Sequence, residues 1–128
     1  MILVSACLAG FRCRYDGEDA SNEEIIEMVR KGKAIPLCPE QLGGLPTPRS
    51  PCKIDGEVTE IFTGGLRIVD DKGVDQTDKF MKGAEEVLKI ATTYAIKEAI
   101  LKGESPSCGR NGVTAHLLEK NNINVLWY

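Results

Sequence analysis

Apolar residues along this chain fall into two kinds of run. Short stretches at Ile2–Ala6, Ala34–Leu37, Glu98–Leu101 and Asn124–Tyr128 read as strands. The first is apolar almost throughout, as in a sheet covered on both faces. Between these stretches the period changes. Ile25, Ile26 and Val29 recur at helical spacing, and Phe80, Ala84, Val87, Leu88 and Ala91 mark one face of a longer helix over about Asp78–Tyr94. Ser21-Asn22-Glu23-Glu24 reads as a capping box with Ser21 as N-cap, and Gly32 suits the helix stop. Asp75 or Thr77 caps the long helix. A last helix spans about Val113–Lys120, stopped by Asn121-Asn122.

The middle of the chain is less regular. Cys38 to Cys52 contains four prolines and two glycines, which rule out a regular element through its centre. A long segment of this kind inside a compact domain reads as a fixed binding loop. Val58–Phe62 and Leu66–Val69 are expected to form a hairpin across Thr63-Gly64-Gly65, followed by a turn at Asp70-Asp71-Lys72-Gly73. The alternation of strands and helices predicts one α/β domain over residues 1–128, Rossmann-like and three-layered, with a mostly parallel sheet and a right-handed βαβ crossover.

Composition narrows the function. The chain has 128 residues, enough for one core. Its net charge is −3 and its pI about 5.2, so it offers no basic footprint for duplex nucleic acid. No apolar run approaches the roughly 20 residues of a membrane span. No signal peptide is visible at the N-terminus, so the cytoplasm is the expected location. Five cysteines, Cys7, Cys13, Cys38, Cys52 and Cys108, are many for this length. An odd number without an export signal argues against a disulfide framework and toward metal, cluster or catalytic use.

Three of the cysteines share a setting. Cys7, Cys38 and Cys108 each follow a predicted strand, at the sheet edge where α/β folds bind ligands. If the three strands are parallel neighbours, the thiols converge. Such a trio suits a metal with an open position or three irons of a four-iron cluster, and its negative charges need a cation to offset them. Cys13 and Cys52 read as small buried hydrophobes. A phosphatase loop after the first strand is rejected, because the position of its phosphate-gripping arginine is taken by Cys13. Glu40 reads either as a solvated loop carboxylate or as a desolvated acid/base beside the thiols. Ser105 and Ser107 read as turn residues or caps, and His116 as a packed or surface residue. Arg12, Arg14 and Arg49 read as loop braces, one of which could hold an anionic part of a substrate.

Together the motifs resemble a known family. Val4-Ser5-Ala6-Cys7-Leu8-Ala9-Gly10, Arg14-Tyr15-Asp16-Gly17, Cys38-Pro39-Glu40, Gly43-Gly44-Leu45-Pro46-Thr47-Pro48-Arg49 and Ser105-Pro106-Ser107-Cys108-Gly109 are similar in kind and order to those of the DUF523 family, which includes thiouracil desulfurases. The resemblance implies an enzyme that removes sulfur from a thiolated pyrimidine (thiouracil, thiouridine or its monophosphate) without net redox change, using a [4Fe-4S] cluster. It implies Cys7, Cys38 and Cys108 as cluster ligands and Glu40 and Ser105 as catalytic residues. Arg49 and Ser107 are expected at the substrate. The partners implied are a small thiolated base or nucleoside, with the chain a monomer or homodimer. The family's longer insert after Ser-Pro-Ser-Cys-Gly is missing, since Cys108-Gly109 runs almost directly into Asn111-Gly112-Val113. Cys52 also departs from the family pattern. The rival reading is a non-catalytic metal- or ligand-binding thiol module, or a cysteine that carries sulfur, on the same fold.

Overall fold

A computed structural model describes residues 1–128. In chain order its elements are β1 (Ile2–Ser5), α1 (Glu23–Arg30), β2 (Ala34–Leu37), α2 (Pro39–Leu42), β3 (Cys52–Lys53), α3 (Val58–Phe62), β4 (Val69–Asp70), α4 (Thr77–Thr93), β5 (Glu98–Leu101), α5 (Val113–Lys120) and β6 (Asn124–Trp127). A 3₁₀ turn, Ala6–Ala9, follows β1 directly.

Leu3 and Val4 show why the fold has three layers. Both are fully buried, and as neighbours on a strand they face opposite sides of the sheet. Leu3 packs with Val87 and Ala91 of α4 and with Leu118 of α5. Val4 packs with Ile25 of α1 and Ala34 of β2. The sheet is therefore covered on both faces, as its apolar strands require. Its order is β2-β1-β5-β6, and every pairing is parallel. Pro36 sits in β2, an edge strand, where its missing N–H costs the ladder least.

The remaining apolar residues form a lobe beyond the sheet. Leu45, Val58, Ile61 and Ile68 pack on Phe80 and Ala84 of α4 and on Val113. This lobe fixes the proline-rich loop. α2 meets α4 backbone to backbone, because a Cβ on Gly43 would strike the Lys79 carbonyl and a Cβ on Gly83 the Pro39 carbonyl. No helix is long and apolar enough to cross a membrane.

Two local expectations are corrected. The cap of α1 is Asn22, not Ser21. The Asn22 side chain accepts from the N–H of Glu24 (3.0 Å) and Ile25 (3.3 Å), while the Ser21 hydroxyl donates to Asp19 (2.9 Å). The hairpin is absent. Val58–Phe62 is helical, opened by a reciprocal Glu57–Glu60 capping box, and β4 pairs antiparallel with β3 instead. Val58 and Ile61 are buried at helical spacing, which short strands of the same composition would not need. At α4 the Asp75 carboxylate accepts from the Thr77 N–H (2.9 Å) and hydroxyl (2.6 Å), and Thr77 in turn accepts from the Ile68 N–H (2.8 Å).

Candidate active site

β2, β1 and β5 are adjacent and parallel, so their carboxyl ends open at one edge of the sheet. From β1 the chain crosses to β2 on one side, and from β5 to β6 on the other. The crevice where the direction reverses lies between β1 and β5, the usual ligand position in such sheets. Cys7 sits in the 3₁₀ turn after β1, Cys38 at the entry to α2 after β2, and Cys108 in the turn after β5. A cavity of about 330 Å³ lies among them, a volume that suits a small ligand. All five cysteines line it, together with Glu40, Arg49 and Ser105.

The thiols are not equivalent. The side chain of Cys13 neighbours those of Cys7 and Cys38, and Cys38 Sγ donates to the Cys13 carbonyl (3.7 Å). Those contacts lower the pKa of Cys7 and bring that of Cys38 to about 7, against the opposing effect of burial. The same contacts push Cys13 far up. Burial, with the Ser5 hydroxyl opposing it, raises Cys108. Cys52 is raised to about 11, first by burial and then by Asp70 and Glu40, and its Sγ donates to the Ser50 carbonyl (3.7 Å). Thiols that deprotonate readily are the metal ligands and nucleophiles among cysteines. Cys13 is buried within the cluster around Val4 and Ile25, as its sequence position suggested.

Glu40 is neither solvated nor isolated, its side chain being 13% exposed. Its Oε2 accepts from Nε of Arg49 at 2.7 Å and lies 2.7 Å from Nη2 in an ion pair. Its Oε1 accepts from the Ser105 hydroxyl at 3.2 Å. Ser105 Oγ also accepts from the N–H groups of Ser107 (3.0 Å) and Cys108 (3.1 Å), so it caps the turn that carries Cys108. The Cys108 carbonyl accepts from Trp127 Nε1 at 2.7 Å, and Arg110 stacks 4.5 Å from the Trp127 ring centre.

The residues expected from sequence are therefore gathered unequally. Cys7, Cys38, Cys108, Glu40, Ser105 and Arg49 share the cavity wall. Ser107 does not reach it. Fully buried, its hydroxyl pairs with that of Thr114 at 2.7 Å. Arg14 lines the cavity and pairs with Asp16 at 3.6 Å, whereas Arg12 is exposed. His116 stacks on Phe62 elsewhere, with ring centres 4.9 Å apart. Sequence reading passed over Ser5 and Trp127. Ser5 ends β1, which was a usable signal; nothing in the sequence tied Trp127 to Cys108.

The donor set suits a thiolate-ligated group. Soft sulfur ligands favour zinc, copper(I) and iron–sulfur sites over magnesium or calcium. As the side chains stand, no group of three His, Cys, Asp or Glu residues is gathered to hold a metal ion. The fit to a cluster therefore rests on the chemistry of Cys7, Cys38 and Cys108 and on the cavity they share.

Comparison with known proteins places the molecule in a class. The 2-thiouracil desulfurase family model matches residues 2–127, and the chain belongs to that family. Among its relatives is the uncharacterized protein YbbK of Bacillus subtilis (strain 168), 40% identical over 142 residues, covering 98% of this chain and 94% of the relative. The solved structure of a [4Fe-4S]-dependent thiouracil desulfidase, TudS, described as a DUF523 protein, is similar with a TM-score of 0.86 and 35% identity, covering 98% of this chain and 89% of that one. The family read from the motifs and the α/β fold are both borne out.

Proposed function

We propose that this chain is a [4Fe-4S]-dependent desulfurase that converts a thiolated pyrimidine, such as thiouracil or its nucleoside, to the oxo base and sulfide. The observation that carries this reading is the convergence of Cys7, Cys38 and Cys108 from β1, β2 and β5 on one cavity with Glu40 in its wall. Family membership and the likeness to TudS support it.

Cys7, Cys38 and Cys108 would hold three irons. The cluster would supply a Lewis-acidic iron whose affinity for a soft thiocarbonyl sulfur polarises the carbon–sulfur bond. The protein does the proton chemistry. Oε2 of Glu40 is committed to Arg49, so Oε1 is the atom that faces the reaction. There Glu40 takes the proton of an attacking water as oxygen replaces sulfur on the ring. Ser105 donates to the same Oε1 and so orients it, while its other contacts hold the Cys108 turn.

Glu40→Gln tests the assignment. The substitution preserves shape and removes the base, so iron content is expected to stay at the wild-type level while sulfide release from thiouracil falls by about 10²–10⁴-fold, the usual contribution of general acid–base catalysis. Unchanged turnover would exclude Glu40 from proton transfer. Turnover lost together with iron would give it a structural role only.

A further inference from the structure

Arg49 directs its guanidinium into the protein. A guanidinium carries five N–H groups in a rigid fork. Nε–H donates to Oε2 of Glu40 at 2.7 Å, and Nη2 lies 2.7 Å from the same oxygen in an ion pair. Nη2 donates to the Cys13 carbonyl at 2.9 Å. Nη1 reaches the Pro46 carbonyl at 3.2 Å and the Thr47 hydroxyl at 3.0 Å. Four acceptor atoms surround the guanidinium, and the side chain is only 5% exposed. Its nitrogens all face protein acceptors rather than open space, although arginine in a cavity wall ordinarily suggests a substrate contact.

The acceptors come from three segments. Cys13 belongs to the loop after β1, Glu40 to α2, and Pro46 and Thr47 to the proline-rich loop. The backbone adds a further tie, since the Arg49 N–H donates to the Tyr15 carbonyl at 2.9 Å. Gln41 Nε2 donates to the Thr47 hydroxyl at 2.8 Å, which closes the loop back onto α2. Arg49 is thus the point where the loop of Cys7 and Cys13, the helix of Glu40 and the binding loop are pinned together.

We infer that Arg49 is a positioning residue, which holds Glu40 by Oε2 so that Oε1 alone is presented to the reacting atoms, in fixed relation to the loop carrying Cys7 and Cys13. The inference rests on the reading of Glu40 as the proton-transfer group. Lysine cannot replace it, because an ammonium is a point charge with three donors and cannot span acceptors on three segments. Without Arg49 the carboxylate loses a charge-assisted hydrogen bond and an ion pair, and is free to rotate about its side chain.

The test compares wild type, R49K, R49Q, E40Q and R49Q/E40Q, each a full chain purified without oxygen, with thiouracil as the probe. R49Q and R49K are expected to keep wild-type iron and to change KM by no more than about twofold, while kcat falls by about 100-fold, the scale of a misplaced catalytic group. The double variant is expected to be no slower than E40Q, since Arg49 acts through Glu40. A raised KM with intact kcat would make Arg49 a substrate contact and overturn the inference. Iron lost in step with kcat would make it a scaffold and overturn it equally. Urea unfolding of the same chains gives a readout independent of turnover. A direct Arg49–Glu40 tie requires the double variant to lose less stability than the two single losses added, and strict additivity would overturn it. A wild-type chain without turnover would refute the desulfurase reading, and the unfolding cycle would still decide whether Arg49 holds Glu40.

Discussion

The two oxygens of Glu40 keep different company, and the chemistry follows from that difference. Oε2 is fixed by a guanidinium, while Oε1 meets a hydroxyl that can follow a change in charge by rotating. Ser105 links this carboxylate to Cys108, because its Oγ accepts two N–H groups of the cysteine-bearing turn. Ser105→Ala should therefore have two effects: unfolding stability should fall by about 1–3 kcal/mol as two N–H groups lose their acceptor, and sulfide release should slow while iron is retained. Denaturant titration and turnover on the same preparation check this, and a variant equal to wild type in both would remove Ser105 from the site. Much at this scale was legible in the sequence. Cys7, Cys38 and Cys108 follow strands, and strand ends are where such sheets bind ligands. The partners of Arg49 and Cys13 were not legible, because they depend on how the proline-rich loop folds back, and no local spacing encodes that. Ser107 was misplaced for a similar reason. In the Ser-Pro-Ser-Cys turn its side chain points inward to Thr114, which only the path of the chain decides.

Among the elements, α2 is the weak point that the site depends on. It is a single turn, Pro39–Leu42, yet it carries Glu40 and follows Cys38. Its position comes from the glycine-to-glycine approach against α4. Gly83→Ala would put a methyl into the Pro39 carbonyl, and backbone cannot yield as a side chain can. Such overpacking costs about 1–3 kcal/mol or more, so a lowered thermal midpoint together with reduced iron is expected. A stable, fully loaded variant would show that α2 is held by something else. The start of α4 depends on pH. The Thr77 hydroxyl and N–H, followed by Arg67, lower the Asp75 pKa to about 2. A carboxyl lowered on folding stabilises the native state above its unfolded pKa of 3.8, and that contribution disappears as pH falls through about 2. Asp75→Asn should thus unfold more easily than wild type at neutral pH, with the gap closing between about pH 4 and pH 2. A gap that stays constant across that range would contradict the linkage. Long elements were legible because α4 repeats its apolar face over several turns and the core strands lack polar alternation. Val58–Phe62 was not, since five residues hold too few turns for the helical period to outweigh adjacent Gly64-Gly65.

For the whole molecule, the order β2-β1-β5-β6 does most to create function. It brings three strands that are distant in sequence side by side, so that Cys7, Cys38 and Cys108 share one cavity although no two of them are close in the chain. A chain of this size supports the arrangement by covering both sheet faces and by using a third apolar cluster to anchor the binding loop. The parallel sheet was legible from alternating strands and helices, and the convergence of the thiols followed once strand adjacency was assumed. The central claim is that this cavity assembles a four-iron cluster. Its most direct test is iron and acid-labile sulfide per chain, with the visible spectrum, on protein purified without oxygen. About four irons and four sulfides, with the broad thiolate-to-iron absorbance near 400 nm, are the expected result for a cluster held by cysteine thiolates. A chain without iron, or with a single zinc in its place, would contradict it.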